Sequence, residues 1–165
     1  MTRRLPDSAY WMIGRVLTHP RFHPFHRRLY RRTGGRWLVG RGLGVDMLLL
    51  QTTGRQSGLA RTVPLAAVPL AAAPHVDTWV VVGSFGGRHR DPDWAHNLRA
   101  TPEARIQVRG SVRPVTAREA HGDEAAALWP IVEAAYPGYA LYRAATTRLV
   151  PLFVLEVGGQ QIMDG

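Results

Sequence analysis

The sequence predicts a mainly β protein with added helices, an α+β chain whose strands form an antiparallel barrel. Three observations predict it. Short apolar runs bounded by glycine, proline or polar turns recur between residues 45 and 157, the pattern of consecutive strands. The helical patterns interrupt this series without alternating with it. There is no βαβ alternation and no nucleotide-binding glycine fingerprint, which argues against a doubly wound sheet. The 165 residues suit one domain, and 45% apolar content suits a globular one.

Each element has a local reason. Val45 to Thr53 is an apolar run ending in threonines, the mark of a buried strand. Gly54 to Arg61 is a polar turn bounded by glycine. Thr62 to Leu70 reads as a second strand, and its prolines place it at an edge or a bulge. Ala71 to Asp77 is a loop, and Thr78 to Ser84 a third strand. Asp91-Pro92-Asp93 signals a helix start, with Asp91 as N-cap, Pro92 at the first helical position and Asp93 at the positive end of the dipole. That helix runs to about Ala100, where Thr101-Pro102 ends it. Glu103 to Val108 and Ser111 to Arg118 form a hairpin around Arg109-Gly110. Asp123 to Ala135 is a second helix, kinked or split by Pro130 and ended by Pro137-Gly138. Leu152 to Val157 is the last strand.

Composition excludes several chemistries. With no cysteine there is no disulfide framework, thiolate nucleophile, Fe–S cluster or cysteine zinc site. All 21 basic residues are arginine, so no lysine ε-amine mechanism operates. The net charge of +9 is uneven. Residues 1–45 hold ten arginines against Asp7 alone, whereas residues 46–165 balance eleven arginines with eleven acids. The sequence therefore divides into a basic helical arm, 1–44, and a neutral barrel domain, 45–165.

In the arm a helix is expected from about Ser8, capped by Asp7 or Ser8, with Tyr10, Trp11, Met12, Ile13, Val16 and Leu17 on one broad face. His19-Pro20 and His23-Pro24 break it, and a second basic stretch, Phe25 to Thr33, ends at Gly34-Gly35. Two readings stand: a solvated helix docked on the barrel, or a basic amphipathic segment (residues 1–40) on anionic lipid. No nucleic-acid fold signature accompanies the charge, so nucleic acid is not expected as a partner. Arg3-Arg4 resembles a twin-arginine export signal, but the apolar run after it stops at Arg15 and no small-residue cleavage site follows. A cytoplasmic protein is expected, at the inner face of the plasma membrane if the arm meets lipid.

Four segments carry candidate chemistry. Thr52 to Arg61 combines two glycines, three hydroxyls and the guanidinium forks of Arg55 and Arg61, which suits phosphate or carboxylate; it also reads as a plain hairpin loop. Gly83 to Arg90 is a glycine-rich stretch feeding a helix, a place for an anion or simply a flexible loop. Trp94 and Asn97 share a helix face, with Trp94 either core packing or a wall for a planar ligand. Tyr136, Tyr139 and Tyr142 recur every three residues, as proton donors and substrate contacts or as an aromatic cluster in the core. The seven histidines show no metal-ligand spacing, so no metal site is expected.

Taken together, LLLQTTGRQSGLARTVPL, VVVGSFGG, DPDWAHNLRATPEARIQV and WPIVEAAYPGYALY resemble the deazaflavin-dependent nitroreductase family, the actinobacterial coenzyme F420-dependent reductases of quinones and nitro compounds. The likeness covers roughly residues 25–157 in unbroken order. It implies a split β-barrel resembling the FMN-binding split barrel, with reduced coenzyme F420 as cofactor in preference to FMN. By resemblance the anionic cofactor tail falls on Arg55, Gln56, Ser57 and Arg61, and Thr62, Val63, Pro64, Leu65 and Ala66 lie along the cofactor. Val82, Gly83, Ser84 and Phe85 line its ring and phosphate, while Asp93, Trp94, Ala95, His96 and Asn97 close over it.

The resemblance also implies an oxidoreductase that passes a hydride to a quinone such as menaquinone, a nitro compound or another activated electrophile. Tyr139, with Tyr136 and Tyr142, faces the substrate; Ser84 hydrogen-bonds near the ring or acceptor. A homodimer is in keeping with related barrels. Two positions depart from the family pattern: Gln56 and Phe85 stand where it often has basic residues. They predict weaker binding of the tail unless Arg88 or Arg90 compensates. The alternative is a non-catalytic split barrel that carries a cofactor or lipid and meets the membrane surface through its arm.

Overall fold

The computed structural model describes residues 6–10, 12, 45–70, 78–108 and 110–158. The expectations for most of the arm, for the loop 71–77 and for Arg109 fall outside these residues. Among the described residues from 45 onward, nine elements follow in order: β1 (Asp46–Thr53), β2 (Ala60–Leu70), β3 (Thr78–Val82), α1 (Asp93–Ala100), β4 (Glu103–Val108), β5 (Ser111–Ala120), α2 (Gly122–Ala135), α3 (Gly138–Ala144) and β6 (Leu152–Val157). A short 3₁₀ turn, Phe85–Gly87, separates β3 from α1. The strands close into a barrel in the order β1-β2-β3-β6-β5-β4, and every pairing is antiparallel.

Strand alternation builds two cores. Leu48, Leu50, Ala67, Val81, Ile106, Val115, Phe153 and Leu155 fill the barrel, and α1 adds Trp94, Ala95 and Leu98 to them. The Trp94 and Phe153 rings meet edge to face, 5.5 Å between centroids. The opposite faces of β2, β3, β5 and β6 present Val68, Val80, Val82, Ala120, Leu152 and Val154 to a second core. Leu128 and Val132 of α2, the tyrosines around α3, and Tyr10 cover it. Burying each such aliphatic side chain contributes about 1.5–3 kcal/mol. Leu152 to Leu155 is an unbroken apolar run because β6 is buried on both faces.

Three local expectations are corrected. β2 is not an edge strand, because β1 and β3 both pair with it. Its prolines nevertheless avoid the two-sided part: Pro64 lies where only β1 is paired, and Pro69 where only β3 is. Pro114 of β5 likewise faces Arg105 of β4 before pairing with β6 begins at Val115. The missing N–H thus interrupts no second ladder. Asp91 does not cap α1, whose N-cap is Pro92. The Asp91 carboxylate is held by Arg99 at 2.7 Å and Arg148 at 2.6 Å, so it is turned away from the helix end. Pro130 does not split α2, which remains one element of 14 residues.

Candidate active site

The barrel is paired unevenly, and this defines a seam. β1 and β2 pair from Asp46↔Ala67 to Thr53↔Ala60. β2 and β3 pair only from Ala67↔Val81 to Leu70↔Thr78. Among the described residues, 60–66 of β2 therefore have β1 on one side and no strand on the other. Val63 and Leu65 pack against the barrel interior from this stretch and are half-buried, as are Thr62 and Ala66, while Pro64 is buried. The result is an apolar wall whose backbone edge meets no strand among the described residues.

The turn after β1 stands at one end of the seam. Gly54 N–H donates to Leu59 O at 2.8 Å, and Gly58 N–H to Gly54 O at 2.7 Å. The Ser57 hydroxyl accepts from Leu59 N–H at 3.3 Å and from Arg61 Nη2 at 3.4 Å. Asn97 of α1, 4% exposed, ties this turn to the helix. Its Nδ2 donates to Thr52 Oγ1 at 3.0 Å, and its Oδ1 accepts Arg55 N–H at 3.1 Å. Arg55 and Arg90 approach the Asp93 carboxylate from two sides, at 4.0 and 3.9 Å. Arg55, Gln56, Ser57 and Arg61 are exposed together. His96 is half-buried, and the side chains of Trp94 and Ala95 belong to the barrel core.

The loop after β3 forms the next part. Gly83 N–H donates to Pro151 O at 2.8 Å, and a Cβ at Gly83 would stand 2.6 Å from Pro151 Cγ, so only glycine fits this approach. Ser84 is buried. Phe85 follows with a left-handed φ of 48°, costly for a residue with a Cβ. Its ring carries two guanidiniums, Arg88 at 4.7 Å and Arg90 at 5.0 Å from the centroid.

The three tyrosines meet. Tyr136 lies 5.1 Å from Tyr139 and 6.3 Å from Tyr142, centroid to centroid, although Tyr136 precedes α3 and only the other two are helical. A Cβ at Gly138 would collide with the Tyr136 ring, so this cluster needs glycine there. The Tyr136 and Tyr142 hydroxyls are 3.3 Å apart, and Tyr142 donates to the carbonyl of Tyr10. α3 packs against the Phe85–Gly87 turn, which brings the tyrosines beside the Ser84 loop. Burial pushes the Tyr136 and Tyr139 phenols well above their ordinary value of 10.0. Both remain proton donors at any physiological pH.

Sequence reasoning missed Arg148. Its guanidinium reaches Gly83 O, Ser84 O, Arg88 O and Asp91, and no local pattern around Thr146-Thr147-Arg148 announces partners so distant in the chain. The pattern around Tyr10 predicts a helix face and carries no sign of its contacts with Tyr136 and Tyr142. Among the described residues there is no cluster of His, Asp or Glu able to hold a metal, and no helix is long and apolar enough to cross a membrane.

The seam fits a planar heteroaromatic cofactor with an anionic tail. Residues 60–66 meet no strand beyond β1 among the described residues, Val63 and Leu65 offer an apolar wall, and Arg55 and Arg61 stand at its end.

Residues 22–157 match the family described as F420H(2)-dependent quinone reductase. The F420H(2)-dependent quinone reductase Rv1261c of Mycobacterium tuberculosis (strain H37Rv) is 36% identical over 135 residues, covering 79% of this chain and 86% of that protein. A solved F420-H2 dependent reductase, FDR-A, superposes with a TM-score of 0.60 at 35% identity, over 73% of this chain and 99% of its own. A structure described as a domain-swapped dimer superposes at 0.61 with 33% identity, over 80% of this chain and 94% of its own. The chain belongs to the F420H(2)-dependent quinone reductase family, and it is an oxidoreductase of the split-barrel type with reduced coenzyme F420 as its cofactor.

Proposed function

We propose that this protein reduces a quinone with coenzyme F420 held along the seam. The observation that carries the reading is the parting of β2 from β3 beyond Ala67↔Val81, with Arg55 and Arg61 at the end of the freed stretch. When bound, the reduced deazaflavin supplies a hydride. In this reading Arg55, Gln56, Ser57 and Arg61 hold the phosphate and oligoglutamate tail. Thr62 to Ala66 lie along the ring, with Val82, Gly83, Ser84 and Phe85 opposite. Asp93, His96 and Asn97 fix the tail turn against α1. The apolar walls exclude water and hold donor and acceptor in contact.

Tyr139 donates a hydrogen bond to the acceptor oxygen, a role supported by burial that keeps the phenol protonated. The Tyr136 and Tyr142 hydroxyls are engaged with each other and with Tyr10, which suits them to holding the Tyr139 ring. Nitro compounds and other activated electrophiles offer the same kind of acceptor oxygen. A lipid quinone such as menaquinone gives the basic arm a reason to meet anionic lipid at the inner face of the membrane. The arginines stacked on Phe85 supply cations beside the position where the family pattern has one, which supports tail binding despite Gln56 and Phe85. We propose a homodimer, in keeping with the domain-swapped relative.

The test is a fluorescence titration with coenzyme F420 and, separately, FMN, followed by turnover of a soluble quinone. Saturable binding of the deazaflavin alone, and turnover that falls roughly 100-fold in Tyr139→Phe with cofactor affinity intact, is the expected outcome. Binding of FMN alone, or of neither, overturns the reading. Binding without quinone turnover favours a non-catalytic carrier instead.

A further inference from the structure

We propose that Arg148 is a positioning residue for the cofactor: it clasps both ends of the Gly83–Asp91 segment and so fixes the wall of the seam that presents Ser84, Phe85, Arg88 and Arg90. The inference rests on the cofactor reading above. Arg148 comes from the loop between α3 and β6, and its side chain is only 15% exposed. Nη2 donates to Gly83 O at 2.8 Å and Ser84 O at 3.1 Å, at the start of the segment. Nε donates to Arg88 O at 3.0 Å, and Nη1 meets Asp91 Oδ1 at 2.6 Å, at its end. Nη1 also donates to Leu149 O at 3.3 Å, which anchors the guanidinium to its own loop.

Between these anchors the backbone runs left-handed for three residues, with φ of 48° at Phe85, 64° at Gly86 and 79° at Gly87. Two adjacent glycines give such a segment many other conformations, and Phe85 resists this one. An external clasp selects it. The planar fork of arginine reaches acceptors on several sides at once, which a lysine ammonium on a single stem does not. The Asp91 carboxylate balances the buried charge through Oδ1 while its Oδ2 holds Arg99, which in turn pairs with Glu119. The clasp is therefore braced from α1 and β5.

The test compares the full-length wild type with Arg148→Lys and Arg148→Ala, first without cofactor by amide hydrogen exchange and then with coenzyme F420 by fluorescence titration. In Arg148→Lys, exchange across residues 83–90 is expected to rise about tenfold while the rest of the barrel is unchanged. The dissociation constant for F420 is expected to rise at least fivefold, with the quinone KM at saturating cofactor within twofold. Guanidinium ion, but not equal sodium chloride, restores F420 affinity in Arg148→Ala. Unchanged exchange, or F420 affinity within twofold of wild type in Arg148→Lys, overturns the proposal. So does exchange that rises uniformly over the barrel, which marks a purely structural role. Failure of the wild type to bind F420 overturns the cofactor reading and the positioning role built on it, and the exchange data then decide the clasp by themselves.

Discussion

Replacing Asn97 by alanine should separate the tail turn from α1. The side chain joins them through two hydrogen bonds, one to Thr52 Oγ1 at 3.0 Å and one from Arg55 N–H at 3.1 Å. Thr52 is 2% exposed, so its hydroxyl loses a donor that water does not replace, a cost of about 1–3 kcal/mol. Arg55 is exposed, and its N–H regains a water partner, so that bond contributes only about 0.5–1 kcal/mol. The sum is about 1.5–4 kcal/mol, a large share of the roughly 5–15 kcal/mol that holds a domain folded. At this chain length it corresponds to a melting point lower by about 4–12 °C. Urea unfolding of Asn97→Ala, Thr52→Val and the double variant measures it. Thr52→Val should cost at least about 1 kcal/mol less in the Asn97→Ala background than alone. A loss below about 0.5 kcal/mol for Asn97→Ala, or additive single effects, would refute the reasoning.

Two further outcomes follow from the site. Tyr136 and Tyr139 keep their protons in the folded state above the ordinary value of 10.0, whereas the unfolded chain gives them up there. Stability should therefore fall as pH rises past about 10, by about 1.4 kcal/mol per pH unit for each phenol, and Tyr139→Phe should remove its share of that slope in denaturation measured between neutral pH and pH 11. The Phe85 ring holds Arg88 and Arg90 through cation–π contacts of about 0.5–1 kcal/mol each. Phe85→Leu should raise the F420 dissociation constant a few-fold, and joint replacement of Arg88 and Arg90 by alanine should raise it further and flatten its dependence on salt; titration at two ionic strengths reads both, and unchanged affinity denies these arginines any part in tail binding.

The strands were legible because their signal is local. Leu48 to Leu50 and Leu152 to Leu155 are apolar on both faces, and the structure buries both faces. The α2 helix likewise begins and ends within a residue of its expected bounds. What pairs with what was not legible. The prolines of β2 announced a missing neighbour, but only the register shows that Pro64 and Pro69 each lack one on a different side. The Asp91 cap signal was sound as local chemistry and lost to long-range charge, since Arg99 and Arg148 offer a carboxylate more than a helix end does. The regular spacing of Tyr136, Tyr139 and Tyr142 foretold a shared side, whereas the carbonyl of Tyr10 that receives Tyr142 lies at the other end of the chain. The turn from Gly54 to Arg61 could be read from local residues; the clasp behind Gly83 to Asp91 could not, because its arginine is encoded far downstream.

The placement of Pro64 also bears on solubility. A strand edge without a partner, as residues 60–66 of β2 present among the described residues, is a template on which a second polypeptide can add a strand, and such addition seeds aggregation. Pro64 stands inside that stretch and withholds one N–H from any incoming strand, while Arg61 sets a charge near its end. Among the described residues this edge is thus interrupted for a second protein chain.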